Sequence, residues 1–409
     1  MRNDGFNLFV ATILGIAVGF LLHVCDLPDL PLKLGTYGIE FFCRLVRLVI
    51  FPLAFLKLLT VCLSQSTWRM GVLGLRTVAV FLATSLVGGA FTIDIALLVK
   101  DWLPKMAVKA TADSNASLSE EFARQLLDLA PDSILGPILN GNIHHLIVLA
   151  FLLAVVLASS DLLTKRRITV LAVQWTSVFE RAGELLVSIL PIGVFFIIAA
   201  SYDTVDMTAL VACSGVILAI YLCFLVQVLL VDTILVVRLT GVSPQGFLKA
   251  LVPICLTSFF SSSSAITYPI SYRSARKFGI EKDVADFVIT LGMAINSNGL
   301  VIYHCFSAVF VAHCYGVQLT ALQLFGIILS SVFTSFLFRE QMPGTCASVL
   351  SMVLAFVGLP PEGVGLLLSC DFLIDRGRTL VNCVGDFTAA IIVSESERPV
   401  LCTSESHPS

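Results

Sequence analysis

Long apolar runs divide the chain: Phe6 to Val24, Gly38 to Leu63, Val78 to Val99, Leu146 to Ala158, Leu185 to Ala200 and Leu210 to Val237. A helix rising about 1.5 Å per residue needs roughly 20 such residues to cross a bilayer, so these runs predict membrane helices. The fourth run is short and predicts a broken helix. The run nearest the amino end has little flanking positive charge and no small-residue cleavage site, which predicts a retained helix rather than a removed signal.

The second half is less regular. Between Phe247 and Arg276 an apolar run is cut by "SSSSAITYP", Ser261 to Pro269, and Ala321 to Val357 is cut by "REQMPG", Arg339 to Gly344. Each half is then too short to cross a membrane, and both segments predict re-entrant hairpins. Each is followed by a full-length apolar segment holding an Asn-x-x-Gly, "NSNG" at Asn296 to Gly299 and "NCVG" at Asn382 to Gly385. Phe247 to Gly316 thus repeats loosely in Leu319 to Val393. Backbone broken at membrane depth must have its N–H and C=O groups answered by protein, water or ligand, so such segments line cavities. Paired interrupted segments in corresponding parts of a chain point to a secondary transporter's binding site.

Leu366 to Val393 has the apolar flanks of a membrane helix yet carries Asp371, Asp375, Arg376, Arg378 and Asp386. At 100° per residue, Asp371, Asp375, Arg378, Asn382 and Asp386 fall within a stripe of about 80°. Arg376 points elsewhere, to a neighbouring helix or an interface. A charge exposed at the bilayer centre costs at least about 3 kcal/mol, so the stripe must face protein or water. It suits a zwitterion with an extra carboxylate. The Arg378 fork would take a carboxylate, Asp375 an ammonium, Asn382 either partner, and Asp386 a hard cation. The bland alternative is an internal ion pair between Asp375 and Arg378.

Composition agrees with a membrane solvent: 57% of the 409 residues are hydrophobic and only 13% charged, far from a soluble domain. A net charge of −3 gives no sign of a nucleic-acid partner. Basic residues gather in alternate connections (Arg69 and Arg76, Lys165 to Arg167, Arg238 and Lys249, Arg273 to Lys277), which places both termini in the cytoplasm. The twelve cysteines include no Cys-x-x-Cys pair and read as small buried hydrophobes. Asn115-Ala116-Ser117 matches a glycosylation acceptor in a segment placed outside, and the polar stretch from Ser394 to Ser409 predicts a disordered tail.

"DFLIDRGRTLVNCVGD" resembles the last-helix motif of the dicarboxylate/amino acid:cation symporter family, which includes the glutamate and aspartate transporters. The similarity extends to "FFCRLVRLVIFPLAF", "LATS", "PIGVFFIIA", the serine hairpin and "MPG". It implies an all-α polytopic membrane protein of eight transmembrane helices and two re-entrant hairpins, with inverted repeats and an elevator-type movement. A homotrimer in the cell (plasma or inner) membrane is implied as well. On that pattern residues 1–70 hold scaffold helices, 71–100 a transport-domain helix, 101–240 two scaffold helices and a sixth helix behind an extracellular loop, 241–393 the transport core, and 394–409 the tail. The resemblance places the substrate on Ser263 and Ser264 of the first hairpin, Met342 and Gly344 of the second, and Asp375, Arg378, Thr379 and Asn382. It places sodium on Gly292, Asn296, Asn382 and Asp386, and a second cation site on Thr84, Ser85, Asn296 and Asn298. Asp375 favours an acidic amino acid, since members carrying simple dicarboxylates tend to lack it.

Departures concern the cations. The family's NMDGT reads "NSNGL" here, Asn296 to Leu300, so Asn298 replaces an aspartate. "FLFREQMPG" puts Arg339 and Glu340 at a hairpin tip that is normally small and glycine-rich. The expectation is therefore a sodium-driven importer of glutamate or aspartate with fewer coupled sodium ions. A proton-coupled carrier of altered specificity, with Glu340 or Asp386 as proton carrier, is the alternative. A hydrolase using Ser261 to Ser264 lacks a Gly-x-Ser-x-Gly elbow, and His304 and His313 have no evident serine partner. The retained ligands likewise favour a carrier over a channel, and no organic cofactor is expected.

Overall fold

The computed structural model describes chiefly residues 29–64, 67–103, 143–201, 207–337, 345–367 and 370–404, and every regular element among them is helical. The run from Phe6 to Val24 is described only at isolated positions. The Asn115 acceptor and the second hairpin tip, with Arg339, Glu340, Met342 and Gly344, lie outside the described residues. Among the described residues, four spans are long and apolar enough to cross a membrane: Glu40–Ser64, Arg69–Trp102, Cys213–Thr240 and Lys282–Cys314. Phe41, Leu48, Leu75, Leu98 and Leu218 stand exposed on the outer faces, a surface that water penalises and lipid does not.

Helices α1 (Asp29–Ser64), α2 (Thr67–Val99), α3 (Ile143–Ala158) and α4 (Leu162–Ser201) form the first part. The short α3 agrees with the short fourth run. Helix α4 is much longer than its apolar stretch, because Lys165, Arg166 and Arg167, expected in a connection, begin the helix. Asp161 accepts from the Thr164 N–H at 2.9 Å and caps it. Helix α5 (Met207–Val226) passes through a π turn (Gln227–Asp232) into α6 (Thr233–Thr240).

Of the two expected interruptions, the serine one is present, and the one at Arg339 to Gly344 lies outside the described residues. Helix α7 (Pro244–Ser261) stops at Ser262, whose φ of 48° is left-handed, and α8 (Ser264–Phe278) starts on Ser263, whose Oγ accepts from the Ile266 N–H at 3.3 Å. Ser243 caps α7 in the same way through the Gly246 N–H. The break therefore sits at Ser262–Ser263. Helix α9 (Lys282–Ile295) and α10 (Asn298–Cys314) are parted at Asn296 and Ser297. Helices α11 (Ala321–Leu337) and α12 (Thr345–Phe356) follow, and α13 spans Asp371–Ser404. The repeat is thus imperfect: its first long segment is broken at the Asn-x-x-Gly, its second continuous.

The tail departs from expectation. Helix α13 runs through Ser394 to Ser404 rather than ending in disorder. Charge pairing explains part of it, since Glu397 is held by Arg76 at 2.5 Å and Arg69 at 3.3 Å, and the Ser396 carbonyl accepts from Arg76 at 3.0 Å.

The two Asn-x-x-Gly motifs interlock. The Asn382 side-chain oxygen accepts from the Gly299 N–H at 2.8 Å, and its backbone carbonyl accepts from Asn296 Nδ2 at 3.0 Å. Gly299 abuts the Arg378 backbone so closely that a Cβ would lie 2.5 Å from its carbonyl oxygen. A Cβ at Gly385 would lie 2.7 Å from Asn296 Nδ2 and 2.9 Å from Asn298 Nδ2. Each motif supplies amides to the other, and each glycine makes the approach possible.

Helix α1 packs chiefly on α3 and α4, while α7 to α10 pack on α13. Between these groups lies a buried lysine. Lys57 of α1, 1% exposed, pairs with Glu180 of α4 at 2.9 Å and with Asp286 of α9, and its ammonium stands 3.3 Å from the Tyr272 ring centroid. Removing one partner of such a set strands a charge in low dielectric at a cost of about 3–5 kcal/mol, whereas apolar replacement of a buried pair is often neutral. Lys57→Ala is therefore expected to lower the thermal midpoint of the detergent-solubilised protein far more than the double change Lys57→Met with Asp286→Leu. Gly299→Ala should cost about 1–3 kcal/mol by overpacking. Gly71→Ala, where nothing lies within 4 Å, should leave the same midpoint unchanged or raised.

Candidate functional site

Helix α13 presents its charged stripe to protein, as the spacing requires. Arg378 is 3% exposed. Its Nη2 reaches Asp371 Oδ1 at 3.2 Å and Asp375 Oδ1 at 3.1 Å, and its guanidinium lies 4.8 Å from the Tyr303 ring centroid. The ion pair read as the bland alternative is thus formed, with Asp371 as a third member. One cation faces two carboxylates, both partly exposed at 25% and 36% of their side chains. An incoming zwitterion meets that edge: its carboxylate would exchange with Asp371 or Asp375 on the arginine, and its ammonium would take the carboxylate released.

Arg376 leaves the stripe, as its angle predicts. Its Nη1 donates to the carbonyls of Phe259 at 3.3 Å and Phe260 at 3.1 Å, near the end of α7, and its guanidinium stacks 4.6 Å from the Phe372 ring centroid. Carbonyls left over at the end of α7 are thereby answered by a cation. This contact ties the serine turn to α13 and brings Ser263 and Ser264, both partly buried, to the same end of the core. Thr379 and Asn382 are buried one and four residues beyond Arg378.

A second cluster lies deeper. Asp386, 4% exposed, accepts from Asn296 Nδ2 at 2.8 Å, and the missing side chain of Gly292 leaves room for its carboxylate. Asn296 Oδ1 is buried without a partner. A carboxylate beside an orphaned amide oxygen fits a hard monovalent cation, the chemistry expected of Gly292, Asn296, Asn382 and Asp386. Turning the Asn296 amide over would present that oxygen.

Thr84, Ser85 and Asn298 also come together, but differently. Ser85 Oγ donates to Asn298 Oδ1 at 2.6 Å, and Asn298 Nδ2 donates to Thr84 Oγ1 at 3.0 Å. The Thr84 hydroxyl donates in turn to the Val80 carbonyl at 2.9 Å, so it accepts from the amide and sets its orientation. Each of the three side chains is partnered by another of them, with the Val80 carbonyl completing the chain, and none is charged.

Sequence reasoning did not single out Tyr303, the ring beneath Arg378. It lies four residues, one helical turn, beyond Gly299, whose contact with Arg378 only the fold reveals. His304 is fully buried as expected of a packed residue, yet neither ring nitrogen has a hydrogen-bond partner. No group of three His, Cys, Asp or Glu side chains suited to a metal occurs among the described residues.

Comparisons with known proteins identify the family. Residues 5–396 match the sodium:dicarboxylate symporter family. A proton/sodium-glutamate symport protein of Bacillus subtilis is 27% identical, with 96% of this chain and 92% of that one covered. A proton/glutamate-aspartate symporter of Escherichia coli is 23% identical, covering 97% and 94%. A C4-dicarboxylate transport protein of Cupriavidus taiwanensis is 26% identical, covering 96% and 91%. With a match across nearly its whole length, the chain belongs to the sodium:dicarboxylate symporter family, whose members are transporters and not enzymes.

Proposed function

We propose that the protein imports an acidic amino acid, glutamate or aspartate, across the cell membrane by alternating access, driven by sodium. The observation that carries this reading is Arg378, a buried guanidinium held by the partly exposed Asp371 and Asp375. Arg378 takes the substrate's side-chain carboxylate, and Asp375 its ammonium. Thr379 and Asn382 bond the remaining polar atoms, with Ser263 and Ser264 facing them from the first hairpin and Met342 and Gly344 from the second. In this reading the chain has eight transmembrane helices and two inverted-repeat hairpins, both termini are cytoplasmic, and three copies form the particle. Residues 241–393 move as the core of an elevator, with 71–100, against scaffold helices that include α1 and α4.

Sodium is bound through Asp386, with oxygens of Gly292, Asn296 and Asn382. The neutral, closed network of Thr84, Ser85 and Asn298 supports fewer coupled sodium ions than relatives with an aspartate there, because the attraction for a cation falls when a full charge is lost in low dielectric. The same network favours the second reading, a carrier using protons in part. Radiolabelled aspartate uptake into proteoliposomes, with sodium and proton gradients imposed separately, distinguishes the two. Sodium-independent uptake that follows the proton gradient would replace the first reading by the second. Succinate or malate competing as well as aspartate would overturn the amino-acid substrate.

Arg378→Ala is expected to weaken recognition of glutamate and aspartate by about 2–5 kcal/mol, some 30-fold or more, while sparing neutral amino acids. Unchanged uptake at normal membrane abundance would remove the assignment. Asn298→Asp should steepen the sodium dependence of uptake, measured as the Hill slope; an unmutated protein already showing a slope near that of a three-sodium carrier would contradict the reduced coupling.

A further inference from the structure

The π turn between α5 and α6 has a chemical consequence. Gln227 and Asp232 are five residues apart, which in an α-helix would set them about 140° from each other. Wound as a π turn, a form that recurs at functional sites, the segment brings them together: Gln227 Nε2 donates to Asp232 Oδ1 at 3.1 Å. Both side chains are fully buried. Asp232 Oδ2 and Gln227 Oε1 have no partner. Gly88 of α2 admits the amide oxygen, which would lie 2.8 Å from a Cβ at that position.

No positive charge balances this carboxyl group among the described residues. The turn packs against α2, α13 and its own flanks α5 and α6. From α2 it meets Gly88, whose carbonyl accepts from Thr92 at 2.6 Å, while Asp94 is exposed. On α5 the Tyr221 hydroxyl donates to the Leu373 carbonyl and the buried Cys223 thiol lies beside Thr92, with Cys305 of α10 near it, and none of them carries a positive charge. On α6, Arg238 is exposed. On α13, Gly377 marks the face that meets Tyr221 and Phe224 of α5, and Asp386, nine residues on, is turned about 180° from it. Arg376 and Arg378 are engaged with the α7 carbonyls and with Asp371 and Asp375.

An ionised carboxylate without a counter-charge is not stable in such a place. It must carry a cation of its own. Hard metal ions gather about six oxygens, whereas only Asp232 Oδ2 and Gln227 Oε1 are unclaimed here; a proton needs one. We propose that Asp232 is a proton-binding site, separate from Asp386, and that its proton travels with the substrate. The second half of this proposal rests on the symporter reading. Because Asp232 has no exposure, its proton exchanges only when α2 and the π turn part, which ties protonation to conformation.

The test uses the full-length protein in proteoliposomes loaded with a pH-sensitive dye, with equal sodium on both sides and aspartate added outside. The expected result is acidification of the lumen with about one proton per aspartate, a ratio that falls to near zero in Asp232→Asn. A ratio unchanged by Asp232→Asn would overturn the coupling of this proton to substrate, as would aspartate uptake by the unmutated protein without acidification. Infrared difference spectroscopy of unmutated protein against Asp232→Asn and Asp232→Glu reads the proton without transport. The carbonyl stretch of a protonated carboxylic acid at neutral pH should vanish in the first variant and shift in the second. No such band would overturn the site even where uptake is normal, whereas the band present without aspartate uptake would uphold the site and count against the symporter reading.

Discussion

A helix that stops inside an apolar layer leaves backbone donors and acceptors with no water to meet them, and the rest of this structure follows from how they are answered. At the serine turn a side chain caps the outgoing helix, and Arg376 takes the carbonyls near the end of the incoming one. At the break between α9 and α10 the amide of Asn382 reaches the Gly299 N–H. Polar groups enter the core because the backbone has been opened there, and an opened backbone is what a site for small charged solutes requires.

The charged helix shows the same economy. Arg378 sits within reach of two carboxylates and above an aromatic ring, so its charge is balanced before any ligand arrives. A buried cation without that arrangement would be costly, and one locked by it would be inert. Partial exposure of the two aspartates resolves the conflict, since solvent weakens their hold and leaves the arginine exchangeable.

Much of this was legible in the sequence. The interruption at Ser262–Ser263 follows from polar residues set within an apolar run, and the stripe on α13 follows from helical spacing alone, whereas the segment holding Asn296 and Ser297 was expected to run unbroken and does not. Pairing at long range was not legible. Lys57, Glu180 and Asp286 are isolated charges in three distant segments, and no local pattern announces that they meet. Nor does hydropathy separate an α-helix from a π turn, so nothing in the sequence brings Gln227 and Asp232 together. The satisfied network of Asn298 needed its partners' geometry; the sequence showed only that a charge was missing. The tail was misjudged because its stabilising arginines lie more than three hundred residues earlier.

The interlock of the two Asn-x-x-Gly motifs bears on biosynthesis. Residues 296–299 emerge from the ribosome well before residues 382–385, yet the amide that answers the Gly299 N–H belongs to the later segment. Until α13 is made and inserted, the gap between α9 and α10 has a donor with no native acceptor in a medium that supplies none. The earlier helices can enter the bilayer one by one, but the core cannot close around its own break until that late segment docks. A nascent chain halted before residue 382 would therefore keep the region near Asn296 open, a target for quality control that the completed protein hides.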